Sequence, residues 1–210
     1  MSPERFIENF VELYRKARIP TFGAASVTRA RCRPVSNELE DLIAAYVVAN
    51  LPEQFHVYVD QYVRLEGRRC TYPDLVLLNQ KTQCITCLVE IKTDLGFQLD
   101  KLSEACQKLR RTADYIAGHN ILLGERSTNQ RSFAVSPRVT CHLIIAALGK
   151  SGSLAALGVE AMREEFGVRI YAFSENRHPN NFSHTAGNDF PDLDIRVGDM
   201  RDFLEKIQAA

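Results

Sequence analysis

Asp74, Glu90 and Lys92 stand where charge is out of place. The stretch YPDLVLLNQKTQCITCLVEIKTD, residues 72–94, holds two apolar runs; an acid opens the first, and an acid and a lysine sit near the end of the second. Side chains alternate along a strand, so Glu90 and Lys92 share one face while Ile91 points to the other. The short NQK link between the runs predicts a hairpin, which brings Asp74 to the same end as Glu90 and Lys92. Two carboxylates converging there, with the backbone carbonyl of Ile91 alongside, are hard oxygen donors suited to Mg²⁺ or Mn²⁺. A lysine beside them orients a water, helps deprotonate it, and neutralises charge developing on a phosphate. The plainer alternative is an ion pair at a sheet edge, worth only ~0–1 kcal/mol. Against that alternative, a charge inside a core-like run is costly unless it is paired or metal-bound.

The elements that must position these groups are legible from periodicity. Phe6, Ile7, Phe10, Val11, Leu13 and Tyr14 recur at helical spacing and predict an amphipathic helix over 3–17. Residues 15–33 then carry six basic side chains and no acid, broken by Pro20 and Gly23, and read as an irregular basic arm. SNELEDLIAAYVVANLP, residues 36–52, predicts a helix capped at Ser36 or Asn37, with an apolar stripe of Leu39, Leu42, Ile43, Tyr46 and Val47. Three strand-like runs follow at 55–65, 71–79 and 82–93, and after them a long helix over about 99–117 ending near Gly118. A polar connector is expected to Pro137. Beyond it, a strand over 139–149, a helix over 153–167 and a strand over 168–174 make a βαβ unit with a parallel pair. A polar loop and a short helix from Met200 close the chain.

Pro73-Asp74, followed after fifteen residues by Glu90-Ile91-Lys92, resembles the PD-(D/E)xK nuclease superfamily, which includes restriction endonucleases and RecB-like exonucleases. The order of elements over residues 36–149 is similar to that family's αβββαβ core. The resemblance implies an α/β fold with a mixed central sheet flanked by helices, and an extra αβ unit towards the C-terminus. One domain is expected, made of a helix and basic arm (1–35), a catalytic core (36–149) and an extension (150–210).

For the site, the resemblance implies that Asp74, Glu90 and the Ile91 carbonyl bind metal and that Lys92 positions the attacking water. The family commonly adds an acid from the first core helix. Here that match is Glu38, which precedes Leu39 and lies one turn before Leu42, while Glu40 can serve a capping box with Asn37 and Asp41 can face water. RecB-like members carry a Gln and a Tyr four residues apart on the helix after the Glu-x-Lys strand; this chain has Gln107 and Tyr115 eight apart, about two turns, with Lys108 and Arg111 between them. Those four, with Arg29, Arg31 and Arg33 of the basic arm, are the candidate substrate contacts; Arg126, Arg131 and Arg138 of the connector can also track phosphates.

Composition narrows the rest. The 210 residues are 45% hydrophobic and 25% charged, enough for a sizeable core. Lys+Arg and Asp+Glu are both 26, so any nucleic-acid surface must come from local segregation of charge. The N-terminal segment lacks the uninterrupted apolar stretch of a secretory signal and no run reaches membrane-spanning length, so a cytoplasmic chain without a membrane partner is expected. Six scattered cysteines read as reduced thiols. Cys32 and Cys141 do not make the cysteine group of an iron–sulfur cluster, and Cys84 and Cys87, three apart in a strand, are expected on opposite faces, so no structural zinc is expected either.

The activity these readings imply is a Mg²⁺-dependent phosphodiesterase, with Mn²⁺ as a substitute, that acts on DNA ahead of RNA and endonucleolytically ahead of exonucleolytically. A homodimer would suit paired cutting of two strands. The alternative is a non-catalytic nuclease-fold module for nucleic-acid binding or protein assembly, and a further one is a first helix that docks on a partner.

Overall fold

The computed structural model describes residues 1–21, 29, 31–65, 68–69, 72–94, 99–123, 131–149, 158–185 and 187–210. Helix α1 (Pro3–Arg18) starts at Ser2, whose Oγ accepts a hydrogen bond from the Arg5 N–H at 3.2 Å. Arg15, Lys16 and Arg18 in its last turn complement the negative end of the helix dipole. Its apolar stripe (Phe6, Ile7, Phe10, Val11, Tyr14, Ala17) is buried inside the chain's own core, so this face is not left over for a partner. Helix α2 (Ser36–Asn50) has no side-chain cap, because its N-cap is the apolar Val35 in place of Ser36 or Asn37, and the Ser36 hydroxyl turns to the Asn37 side chain.

The expected single run over 55–65 is broken in two, β1 (Phe55–Val59) and β2 (Val63–Leu65), followed by β3 (Arg68–Arg69). The break falls at Asp60, whose φ of +47° lies in the left-handed region. Strands β4 (Leu75–Asn79) and β5 (Cys84–Asp94) form the expected antiparallel hairpin. The Asn79 side-chain oxygen closes its turn by accepting from the N–H groups of Lys81 and Thr82. Helix α3 (Leu99–Ile116) follows and ends at Gly118, whose φ of +73° favours glycine.

The polar connector expected up to Pro137 is instead largely strand. β6 (Asn120–Leu123) pairs with the first residues of β7 (Arg131–Ala147), a strand of 17 residues. Ile121 and Leu123 give β6 a buried face, which is why so short a run holds to the sheet. Helix α4 (Val159–Phe166) and β8 (Val168–Ala172) complete the βαβ unit, with β8 parallel to β7 as expected. The final polar loop contains a small sheet of β9 (Ser174–Asn176) and β10 (Leu193–Ile195), a 3₁₀ turn at Pro179–Phe182, and helix α5 (Val197–Gln208). Arg126, Cys70, the residues 153–157 expected to open the helix before β8, and residues 22–28 of the basic arm lie outside the described residues.

The main sheet has eight strands in the order β1-β4-β5-β7-β6-β2-β3, with β8 also on β7. β5 and β7 are parallel and central. Helices α1, α2 and α5 cover one face with Phe55, Leu75, Leu77, Val89 and Phe173, while α3 and Val159, the first residue of α4, cover the other with Val76, Leu78, Ile85, Leu88 and Leu143. Burial on both faces explains why β5 and the second half of β7 are nearly continuous apolar runs. The elements α2, β1, β4, β5, α3 and β7 occur in that order, with β2, β3 and β6 added between them. Among the described residues no helix is long and apolar enough to cross a membrane.

A bulge at Thr86 changes the phase of β5. Both neighbouring ladders skip this residue, between Leu77 and Leu78 on one side and between Ile85 and Cys87 on the other. Ile85 therefore joins Leu88 on the α3 face, and alternation sets Cys84 on the same face as Cys87, against expectation. Cys32, Cys84, Cys87, Cys106 and Cys141 are free thiols.

Beside the bulge, the α5 face of the sheet buries a polar cluster. His142 is wholly buried; its Nε2 meets Thr140 Oγ1 at 2.8 Å, and its Nδ1 meets the Tyr171 hydroxyl at 3.2 Å. Hydroxyls donate or accept, so both nitrogens of a neutral ring are satisfied, and full burial disfavours the charged ring. Burial first, and Arg169 second, push the imidazole down to about 3. An unfolded histidine titrates near ~6.5, so the stability this neutral ring contributes is complete above that pH and is lost as pH falls from ~6.5 towards 3. The melting temperature of the native chain should accordingly fall more steeply between pH 7 and pH 5 than that of His142→Gln; parallel curves would show that the ring is not the titrating group.

Candidate active site

The site forms where the start of β4 meets the end of β5. Leu75 pairs with Val89, so the register carries Asp74 beside Glu90 and Ile91. The Ile91 N–H donates to Asp74 Oδ2 at 2.5 Å. Glu90 is buried at 7% exposure, on the α3 face of β5 with Leu88, and Lys92 Nζ reaches its Oε1 at 2.6 Å. The hairpin thus brings together the three charged groups singled out from the sequence, and burial makes their interaction stronger than that of a surface pair.

Their electrostatics are those of crowded acids. Burial, then the neighbouring Glu90 carboxylate, push Asp74 up to about 6, against the Ile91 N–H, Lys92 and Lys108, which pull it down. Cys106 of α3 is buried over the same face, and burial followed by Glu90 pushes its thiol up to about 11.

The helix acid facing this group is Glu40, not Glu38. Glu38 is exposed, whereas Glu40 is half-buried, and burial followed by Asp74, Asp60, Asp41 and Glu90 pushes it up to about 7. Glu38 lies one turn before Leu42, but Leu42 is only half-buried. The buried stripe runs through Leu39, Ile43, Ala44 and Val47, and Glu40 lies one turn before Ile43 and Ala44. Leu42 and Ile43 both read as stripe positions in the sequence, and packing decides between them. It also leaves no capping box between Asn37 and Glu40.

Asp60 is a further acid that sequence reasoning passed over. Its N–H donates to the Asp74 carbonyl at 2.8 Å, tying the break between β1 and β2 to the start of β4. The signal was an aspartate in the middle of FHVYVDQYVRL, a run otherwise suited to a strand.

The remaining candidates divide. Lys108, exposed on α3, is close enough to act on Asp74. Gln107, Arg111 and Tyr115 are exposed on the same helix. Arg29 and Arg31 are exposed, but Arg33 is engaged with α1: its Nη1 donates to Thr21 Oγ1 at 2.8 Å and its Nη2 to the Lys16 carbonyl at 3.4 Å. Two residues past Lys92, Asp94 Oδ2 lies 3.5 Å from His178 Nε2, a histidine of the polar loop to which the sequence assigned no role.

Among the described residues, no three His, Cys, Asp or Glu side chains come close enough to cage an ion by themselves. The donor types still fit a hard cation that keeps several waters, as Mg²⁺ does, because two or three carboxylates and a carbonyl then suffice.

No protein-family model matches the chain, and no curated protein matches it. Among solved structures it is similar to NucC of P. aeruginosa ATCC27853 in its cAAA-bound form, at 10% identity and a TM-score of 0.52, over 99% of this chain and 89% of that one. That likeness is one of fold: a mixed α/β chain with its sheet flanked by helices.

The raised acids carry a stability signature. A carboxyl whose folded pKa exceeds its unfolded value near ~4 contributes stability at low pH that is lost as pH rises, here through about 6 for Asp74 and about 7 for Glu40. Asp74→Asn and Glu40→Gln should each raise the melting temperature of metal-free protein at pH 8, by on the order of a few degrees, and raise it less at pH 5. A variant less stable than the native chain at pH 8 would contradict this crowding.

Proposed function

We propose that the chain is a metal-dependent nuclease that hydrolyses phosphodiester bonds, with DNA ahead of RNA as its substrate. The observation that carries this reading is the arrangement of Asp74, Glu90 and Lys92, with a hydrogen bond of 2.5 Å from Ile91 to Asp74 and an ion pair of 2.6 Å from Lys92 to Glu90. The likeness to NucC is one of fold and supports the reading at that level alone. In this reading α2, β1, β4, β5, α3 and β7 are the αβββαβ core, and β2, β3 and β6 are additions to it.

Asp74, Glu90 and the Ile91 carbonyl would hold a divalent ion, Mg²⁺ or Mn²⁺, with Glu40 completing the set directly or through water. Such an ion supplies Lewis-acid polarisation of the scissile phosphate and makes water a better nucleophile near neutral pH. The Ile91 N–H fixes the Asp74 carboxylate through Oδ2. Lys92, held by Glu90, orients the attacking water and offsets negative charge that builds on the phosphate. Lys108 adds positive charge from α3 on the approach to Asp74. Glu40, pushed up to about 7 by burial and its acidic neighbours, would give up its proton on binding a cation. Endonucleolytic cutting and a homodimer remain part of this proposal, since paired cleavage needs one site for each strand.

The test is cleavage of plasmid, linear duplex and single-stranded DNA, and of RNA, in Mg²⁺, Mn²⁺ and EDTA. Cutting should require the metal and fall roughly a hundredfold or more in Asp74→Ala and Lys92→Ala, the scale on which removing one charge-stabilising group slows such chemistry. Product sizes separate endonuclease from exonuclease. Folded protein that cuts nothing under these conditions would favour the non-catalytic module. Between the two helix acids, Glu40→Gln should lower metal-dependent cutting at least tenfold and Glu38→Gln should leave it within about twofold; the reverse order would return the role to Glu38. In the same buffers, Mg²⁺ should raise the melting temperature of the native chain and not that of Asp74→Asn.

A further inference from the structure

Tyr72 is 53% exposed, which its place next to the buried Pro73 and β4 does not account for. Its ring lies 4.9 Å from that of Tyr62, the planes tilted by 50°. These two tyrosines come from different segments, and both segments meet at the candidate active site. Tyr72 is two residues before Asp74, so their Cα atoms lie within about 7 Å of each other. Tyr62 sits in the break between β1 and β2, and that break is pinned to the Asp74 carbonyl by the Asp60 N–H at 2.8 Å. The left-handed φ of +47° at Asp60 is what turns the chain out of β1 and carries Tyr62 across to Tyr72.

From this juxtaposition we propose that Tyr62 and Tyr72 form a stacking platform for an unpaired nucleobase, seating the strand so that its phosphate lies at Asp74 and Glu90. The inference rests on the nuclease reading and deepens it by naming the form of the substrate. Every base offers a π face, and an exposed aromatic ring stacks on it with little regard to sequence. A base within a duplex is already stacked on its neighbours, so the platform is open to a single strand, a frayed end or a base turned out of the helix. Stacking also meets a need that the site itself creates. Asp60, Asp74 and Glu90 gather negative charge that repels phosphate, and an apolar contact to the base holds the strand without adding to that repulsion. A tyrosine pair retains its area at small entropic cost, since each ring has only two rotatable bonds.

The experiment measures binding apart from cleavage. Asp74→Asn protein is titrated in EDTA with a labelled single-stranded oligonucleotide and with a strand of the same length made of abasic sites, which keeps the phosphates and lacks the bases. The base-bearing strand should bind roughly five- to a hundredfold more tightly, the range that one stacked base supplies. Adding Tyr72→Ala or Tyr62→Ala should remove that difference, and Tyr72→Phe should keep it. The chain has no Trp, so quenching of tyrosine emission by the unlabelled strand gives a second readout on the same protein. If both strands bind alike, or if Tyr72→Ala leaves the difference intact, the platform is wrong and the nuclease reading stands. If neither strand binds at all, the platform is wrong, and the cleavage assay in Mg²⁺ decides the nuclease reading separately.

Discussion

The hydrogen bond from the Ile91 N–H to the Asp74 carboxylate sets the geometry on which the site depends. It joins the first residue before β4 to the penultimate turn of the pleat in β5, and it does so beyond the last paired residues of the hairpin. A one-residue slip of that register would send Glu90 and Lys92 to the opposite face, away from α3. The register is held from two sides. Asn79 closes the turn at one end of the hairpin, and the buried runs of β4 and β5 pack against helices on both faces along its length.

Given that frame, the electrostatics follow from how little water reaches it. Glu90 is nearly enclosed, Asp74 and Glu40 are half-enclosed, and Lys92 is bonded to Glu90. Asp74 and Glu40 are pushed towards their neutral forms there, at a cost to the fold. Crowding of this kind is a mark of groups kept for chemistry, since an ordinary core would be more stable with apolar side chains there. The opposite face shows the contrast. His142 and Tyr171 are also buried, but their polar atoms bond within the cluster, His142 to the half-buried Thr140 and to Tyr171.

Much of this was legible locally. Helical spacing located α1, α2 and α3; the apolar runs and the short link located the β4–β5 hairpin; and period-2 alternation put Glu90 with Lys92. Each depends on residues near one another in the chain, where propensity and periodicity act directly. The misses have another character. β6 is four residues inside a polar stretch and holds because β7 runs long enough to pair with one of its edges while β2 pairs with the other. Its pairing has no local signature.

Thus the amino-acid sequence by itself determined the type of residues at the site, the strands that bear them and the face that Glu90 and Lys92 share. Tertiary structure alone decided that Glu40 rather than Glu38 faces Asp74, that the bulge at Thr86 rephases β5, and that Tyr62 meets Tyr72. The rotation of a helix about its axis, the skipping of one residue by two neighbouring strands, and the meeting of two loops are each settled by packing against elements distant in the chain. A pattern within one segment records which faces are apolar; it does not record which neighbour will cover them.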